Sequence, residues 1–256
     1  MKITAINGSP HGKEGITNVM VSTFLKGAQE AGAEVVNVFL SEKELNHCKG
    51  CFTCWLGTPG KCVIQDDMEK IIAEGQGTDV LVLATPIKYA NISSMLKIFI
   101  ERMLVLSSPY FQKDPATGLT RHPKKSDAAE KEMSFYRAKF VMIANGGLPD
   151  RGPNLQIISD WLKRLAFYNH TEIIGEIYAP QGLLLANQNP DLKPVIDNYL
   201  EYLEKAGKEI VTAGGLSDDT NNVLAQSFLP VDAYNQAVTD YFDSFLCKVE
   251  HPYIKR

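Results

Sequence analysis

The segment MKITAINGSPHGKEGITNVM, residues 1–20, decides how the rest of the chain is read. Its opening, Lys2 to Asn7, is β-branched and apolar enough for a buried strand. Gly8-Ser9-Pro10-His11-Gly12-Lys13-Glu14-Gly15 then places three glycines and a proline in one short loop. From Thr17 onward, Met20, Phe24, Leu25 and Ala28 recur at helical spacing. A strand that runs through a glycine-rich, hydroxyl-bearing loop into a helix has the outline of a phosphate cradle. Backbone N–H groups and the positive end of the helix converge there, and Ser9, Thr17 and Asn18 bring polar hydrogens. An ordinary β–α turn has the same outline, so this segment alone leaves both readings open.

Spacing narrows the ligand. G-x-x-x-x-G-K-[ST] is absent, and G-x-G-x-x-G fails because Ser9-Pro10 follows Gly8. Both a Mg-nucleotide and a dinucleotide pyrophosphate are therefore disfavoured. A single terminal phosphate, as in FMN, suits a hydroxyl-lined loop of this kind better.

Composition excludes other classes. At 256 residues with 45% hydrophobic content, the chain can bury a sizeable core. A net charge of −4 lacks the basic face that nucleic acid requires. No apolar run reaches the ~20 residues that span a bilayer. Met1-Lys2 leads straight into the first strand without an apolar leader, so a cytoplasmic protein is expected.

The alternation of patterns supplies the fold. Further buried strands are expected at Glu34 to Leu40, Asp79 to Ala84, Phe140 to Ala144 and Glu172 to Tyr178. Helices are expected after each, with Asp66-Asp67 as the N-cap before Met68 and a long amphipathic helix from Leu192 to Ala213. Five β–α alternations imply an α/β fold: a doubly wound, flavodoxin-like parallel sheet of strand order 2-1-3-4-5 with helices on both faces. Residues 1–213 form the expected domain, with a polar insertion at about 107–138 that suits a lid or a dimer contact. That insertion carries a charge run from Lys124 to Lys131. Residues 214–256, with an aromatic helix around Tyr234, Tyr241, Phe242 and Phe245, read as a C-terminal extension without a domain of its own.

Three loops at strand C-termini together resemble those of the flavodoxin-like NAD(P)H-dependent FMN reductases, including the iron–sulfur flavoproteins. The first is Gly8-Ser9-Pro10 with Thr17-Asn18. The second, Thr85-Pro86-Ile87-Lys88-Tyr89-Ala90-Asn91-Ile92-Ser93-Ser94-Met95-Leu96-Lys97 ending in Phe99-Ile100-Glu101-Arg102, is the most specific. The third is Asn145-Gly146-Gly147. The resemblance covers about residues 1–180 and implies non-covalent FMN. Its phosphate would lie by Ser9, Pro10, His11, Thr17 and Asn18, and its ring among Pro86, Ile87, Lys88, Tyr89, Ala90, Asn91, Asn145, Gly146 and Gly147. Lys88 stands where the family usually has an aromatic, so it can approach the negative end of the reduced ring instead. The implied activity is an oxidoreductase that takes hydride from NAD(P)H and reduces a quinone, flavin or similar small acceptor. A homodimer or homotetramer is the expected assembly. No Ser–His–Asp grouping or H-E-x-x-H motif is evident, and no residue is assigned catalysis, since the flavin is the reactive group.

Four of the five cysteines form a second signal. Cys48-x2-Cys51-x2-Cys54-x7-Cys62 is too compact for paired zinc knuckles and offers the four thiolates of a [4Fe–4S] cluster. The motif resembles that of iron–sulfur flavoproteins, which makes a cluster-bearing electron carrier the alternative function. Such a cluster would lie near the sheet end that holds the flavin. The same residues, with Phe52, Trp55 and Pro59, also suit a packed loop shaping a substrate pocket, or a labile disulfide. Cys247 stands alone.

Overall fold

The computed structural model describes residues 1–124, 135, 138–150, 152–187 and 189–246. The charge run beyond Lys124, Cys247 and the last residues of the tail lie outside the described residues. In chain order the elements are β1 (Lys2–Asn7), α1 (Ile16–Glu30), β2 (Glu34–Phe39), a single turn α2 (Thr53–Leu56), α3 (Met68–Glu74) and β3 (Val80–Pro86). Then come α4 (Ser94–Arg102), β4 (Gln112–Lys113), β5 (Thr120–Arg121), β6 (Lys139–Asn145), α5 (Gly152–Asn169) and β7 (Ile173–Ala179). The chain ends in α6 (Lys193–Thr212), α7 (Asp218–Leu224) and α8 (Val231–Leu246).

One five-stranded sheet has the order β2-β1-β3-β6-β7, and every pairing in it is parallel. Numbered within that sheet, this is 2-1-3-4-5. The fold is the doubly wound, flavodoxin-like one. The two-residue strands β4 and β5 form an antiparallel hairpin inside the excursion after α4. Register aligns the carboxyl ends: Asn7 pairs with Ala84 and with Phe39, and Pro86 pairs with Asn145. The strand order reverses between β1 and β3, which is where open α/β sheets hold ligands.

Alternate residues of each strand feed two cores, because successive side chains point to opposite faces. Ile3, Ala5, Val80, Val82, Val141 and Ile143 pack against α1 and α6 on one face. Ile6, Leu81, Leu83, Phe140 and Met142 pack against α3, α4 and α5 on the other. Strands buried on both sides read as unbroken apolar runs, which explains why β3 and β6 were visible in the sequence. Helices α1 and α6 cross at bare backbone. A Cβ on Gly27 would lie 1.8 Å from the Glu204 carbonyl oxygen, and one on Gly207 would lie 2.0 Å from that of Phe24.

Boundaries shift in two informative places. β3 runs two residues past Ala84, through Thr85 to Pro86, because the next amide, Ile87 N–H, donates to Asn145 O at 2.7 Å and the ladder needs nothing from the proline nitrogen. At α3, Asp67 makes no capping bond to the helix; Asp66 does the work, its Oδ1 accepting from Met68 N at 3.1 Å. The C-terminal segment joins the α1-side core, where Leu224, Phe228 and Tyr234 are buried. Among the described residues, no helix is long and apolar enough to cross a membrane.

Candidate functional site

The first loop leaves β1 at buried Asn7 and is drawn tightly onto its neighbours. Gly8 N donates to Ala84 O at 2.8 Å, and Ser93 Oγ donates to Gly8 O at 2.6 Å. A side chain at Gly8 has no room, since its Cβ would lie 2.8 Å from Leu96 Cβ. Ser9 is buried and its hydroxyl oxygen accepts from His11 N at 3.3 Å. Pro10 and His11 are exposed. Gly15, the N-cap of α1, has no side chain to cap it; its carbonyl takes the Asn18 N–H at 2.8 Å, and the Ile16 and Thr17 N–H groups are left to another acceptor. Asn7 Nδ2 is buried with no partner, an unspent donor at the floor of this loop.

Two of the polar groups expected to face a phosphate are held by the protein itself. Asn18 Nδ2 donates to Lys13 O at 2.9 Å, while its Oδ1 accepts from Asn37 Nδ2 at 3.0 Å. Its amide braces the loop from β2. Thr17 Oγ1 is buried and accepts from Asn145 Nδ2 at 2.7 Å, which leaves its own hydrogen free to donate elsewhere. That bond ties the first loop to the third across the end of β3.

The second loop is a tight turn with unusual backbone. Lys88 and Asn91 exchange both N–H···O bonds, at 2.8 and 3.1 Å. The two residues between them, Tyr89 and Ala90, have φ of 46° and 65°. Positive φ at two successive non-glycine residues is costly, of order 1 kcal/mol or more each, and such strain concentrates at functional sites. The turn lifts Tyr89 fully into solvent. Below it, Thr85 Oγ1 accepts from Ser93 N at 2.9 Å, and Ser93 Oγ caps α4 by accepting from Leu96 N at 3.2 Å. Ser93 therefore couples the first and second loops, a role that its place two residues beyond the turn did not reveal.

The third loop is fixed through its backbone. Gly146 N donates to Ala179 O at 2.9 Å and Gly146 O accepts from Gly182 N at 2.9 Å. Gly147 O accepts from the Tyr234 hydroxyl at 2.7 Å. Ile87, Tyr89, Ala90, Gly146, Gly147, Leu148, Asp150, Asn154, Leu155 and Pro180 enclose a cavity of about 290 Å³ between the second and third loops. Of the residues expected around a ring, Ile87, Tyr89, Ala90, Gly146 and Gly147 line it. Lys88, Asn91, Pro86 and the Asn145 side chain do not: Lys88 and Asn91 close the turn through their backbones with the Lys88 residue exposed, and Asn145 points to Thr17.

The cysteines lie elsewhere. Asp66 and Arg102, both nearly inaccessible, form a bidentate pair at 2.6 and 2.9 Å. Arg102 also donates to Asn46 O at 2.8 Å, and Asn46 N donates to Asp66 at 2.9 Å. Burial pushes the Asp66 carboxyl up, but hydrogen bonds from Arg102, Asn46 N and Met68 N outweigh it and hold it at about 2. This clamp closes both ends of the cysteine loop. Cys62 lies near enough to the same guanidinium to favour its charge, and Trp55 Nε1 donates to Leu104 O at 3.2 Å. Trp55 and Phe111 both pack on His122, so the excursion covers the loop.

All four thiols are free. Cys51 is exposed, and the Thr53 hydroxyl bonded to its sulfur lowers its pKa; burial raises that of Cys54, with Cys62 adding to the effect. Among the described residues, no three His, Cys, Asp or Glu side chains stand close enough to hold a metal ion. The four cysteines thus match a cluster in number and kind but are not gathered to one point. Nor does the loop sit at the sheet end expected to hold the flavin: its contacts are at the far end of α4 from Ser93, on the order of 15 Å away by helical rise.

Comparison with known proteins follows this geometry. The family model described as NADPH-dependent FMN reductase matches residues 1–134. An iron–sulfur flavoprotein of Archaeoglobus fulgidus is 39% identical over 104 residues, 41% of this chain and 46% of that protein. One from Methanosarcina thermophila is 33% identical over 111 residues, 43% and 56% of the two chains. The chain thus spans about half the length of the curated relatives it matches. An FMN-dependent NADH-azoreductase of Bacillus anthracis, solved with FMN, aligns with TM-score 0.56 at 14% identity, over 83% of this chain and all of that one. An NAD(P)H:quinone oxidoreductase of Methanothermobacter marburgensis aligns with TM-score 0.55 at 10% identity, over 82% and 96%. At such identities these structures speak for the fold alone. With more than half its length matched by the family model, the chain belongs to the NADPH-dependent FMN reductase family.

Proposed function

We propose that this protein binds FMN across its three sheet-end loops and uses it to pass electrons from NAD(P)H to a small acceptor such as a quinone or a flavin. One observation carries the reading: the three loops are a single bonded unit, joined by Ser93 Oγ to Gly8 O at 2.6 Å and by Asn145 Nδ2 to Thr17 Oγ1 at 2.7 Å. The residues fit the group. A phosphate would take the uncapped α1 N-terminus, the free hydrogen of Thr17, and the unpartnered Asn7 Nδ2 nearby. Gly147, where a Cβ would meet only Leu183 Cδ1 at 3.8 Å, leaves open backbone against which a ring can lie, while Gly146 packs on Ile87.

Bound FMN supplies the electron chemistry, accepting a hydride and releasing electrons. The chain positions it. Strain in the Lys88–Asn91 turn places Tyr89 at the mouth, where its ring can cover a bound partner and exclude water. A net charge of −4 over 256 residues is weak for a carrier that docks through acidity, which favours the enzyme over a flavodoxin-like carrier. Anaerobic NADPH added to FMN-loaded protein should bleach the flavin band; an unchanged spectrum sinks the reductase.

A second reading is supported by the names of the relatives, iron–sulfur flavoproteins, together with the C-x2-C-x2-C-x7-C spacing. In it Cys48, Cys51, Cys54 and Cys62 hold a [4Fe–4S] cluster, for which the loop between Asn46 and Asp66 would have to fold in on itself. About four irons and matching acid-labile sulfide per chain in anaerobically purified protein, abolished by Cys51→Ala, would support it. Iron near zero with flavin retained would leave a simple FMN reductase.

A further inference from the structure

The third loop ends on a peptide that its own packing does not fix. A Cβ at Gly147 would meet only Leu183 Cδ1, at 3.8 Å, and Leu148 is largely exposed. Yet three successive carbonyls here are each held by a protein donor. Asn145 O accepts from Ile87 N at 2.7 Å, Gly146 O from Gly182 N at 2.9 Å, and Gly147 O from the Tyr234 hydroxyl at 2.7 Å. No described peptide bond is cis. In a trans peptide the N–H points opposite to the preceding carbonyl. Holding the Gly147 carbonyl from behind therefore turns the Leu148 N–H away from Tyr234, toward the cavity that Gly147 and Leu148 line.

Tyr234 itself does not line that cavity. It is buried on α8, 87 residues from its partner, and the entry to α8 is locked in turn. Fully buried Gln181 donates to Leu229 O and accepts from Leu229 N, both at 2.8 Å. The lock reaches from the residues just after β7 to the start of α8, and the hydroxyl reaches from α8 back to the loop.

We propose that Tyr234 is a positioning residue of the flavin pocket, whose hydroxyl fixes the Gly147–Leu148 peptide so that the Leu148 N–H donates to the flavin ring. The inference rests on the FMN reading above. A donor fixed there favours the negative charge that the ring gains on reduction, without cost of reorientation. The C-terminal extension is then part of the cofactor site.

Tyr234→Phe removes the hydroxyl and keeps the ring. Measured by flavin-fluorescence titration, its Kd for FMN should rise about tenfold, the size expected for one lost hydrogen bond. The midpoint potential of its bound flavin should fall. Phe228→Leu is the control, since Phe228 packs on Tyr199 with ring centroids 4.9 Å apart and loosens the extension while leaving the hydroxyl. It should lower the melting temperature with FMN affinity and potential nearly unchanged. Wild-type affinity and potential in Tyr234→Phe would overturn the proposal, as would a Phe228→Leu variant that reproduces both changes. Should Tyr234→Phe not accumulate, amide-resolved hydrogen exchange of the wild type decides: FMN must protect the Leu148 amide. Wild-type protein that binds no FMN at all would sink the cofactor reading as well, which is a different result from either.

Discussion

Replacing Arg102 with leucine should be among the most damaging single changes in this protein, and the structure sets its size. The substitution removes two bonds to Asp66, at 2.6 and 2.9 Å, and one to Asn46 O at 2.8 Å. It leaves the Asp66 carboxylate enclosed, with Asn46 N, Met68 N and a long bond from Asn46 Nδ2 as its remaining donors. Stranding one member of a buried ion pair costs about 3–5 kcal/mol. In a chain of this size each kcal/mol lowers the melting temperature by about 2–4 °C, so a fall of roughly 10 °C is expected. Asp66→Asn in the same background removes the stranded charge and should recover about 2 kcal/mol, although Asp66→Asn alone destabilises. Urea unfolding of the four proteins in this cycle measures the coupling. Proteolysis within 47–65 should also rise in Arg102→Leu, because the clamp closes both ends of that loop. A loss below about 1 kcal/mol, or a double variant no better than Arg102→Leu alone, would refute the reasoning.

Other expectations are simpler to state. Gly207→Ala puts a Cβ 2.0 Å from Phe24 O and should cost about 3 kcal/mol or more in urea unfolding, because α1 and α6 must separate. Gly8→Ala meets Leu96 Cβ at 2.8 Å and Ser93 Oγ at 2.9 Å, so it should weaken FMN binding by tenfold or more as the first loop moves off α4; unchanged affinity would contradict the coupling through Ser93. Hydrogen bonds from Lys26 and Lys208 lower the Glu204 carboxyl from 4.5 to about 2. Its folded pKa lies below its unfolded one, so its contribution is full above pH ~4.5 and is lost as pH falls toward 2. The melting-temperature gap between wild type and Glu204→Gln should therefore be present at pH 6 and shrink below pH 4.

The centre of the sheet was legible because β1, β3 and β6 are buried on both faces, whereas the edge strand β2 buries only Val38 fully. Val80 to Ala84 and Phe140 to Ala144 have no polar interruption, the pattern of a strand covered on both sides. The hairpin of Gln112–Lys113 with Thr120–Arg121 was not legible. Two-residue strands carry no period, and this one depends on remote contacts: Arg121 pairs with Asp114, reaches Phe167 O at 3.2 Å and stacks on the Phe167 ring. The candidate site divides in the same way. Glycines and hydroxyls at strand ends marked the three loops. The partner of each side chain was hidden by distance: Thr17 is 128 residues from Asn145, and Gly147 is 87 from Tyr234. Asn18 shows the consequence, since its residue type suited a phosphate but its amide is held by Lys13 and Asn37.

The cysteine loop carries this argument furthest. Spacing identifies what four thiols can bind, and says nothing of where the loop lies. Position comes from α4, whose two ends hold the two regions apart. At its start, Ser93 bonds Gly8 and so belongs to the three sheet-end loops; at its end, Arg102 bonds Asn46 and Asp66 and so belongs to the cysteine loop. A nine-residue helix continued by a 3₁₀ turn is stiff, with Phe99 and Leu96 locked in the core below it. The separation between cavity and cysteines is therefore set by helix length rather than by loop sequence. Within one chain, lengthening α4 by a turn would move the cysteine loop about 5.4 Å further from the sheet-end loops, whereas changing residues between Cys54 and Cys62 would reshape the loop without moving its anchors.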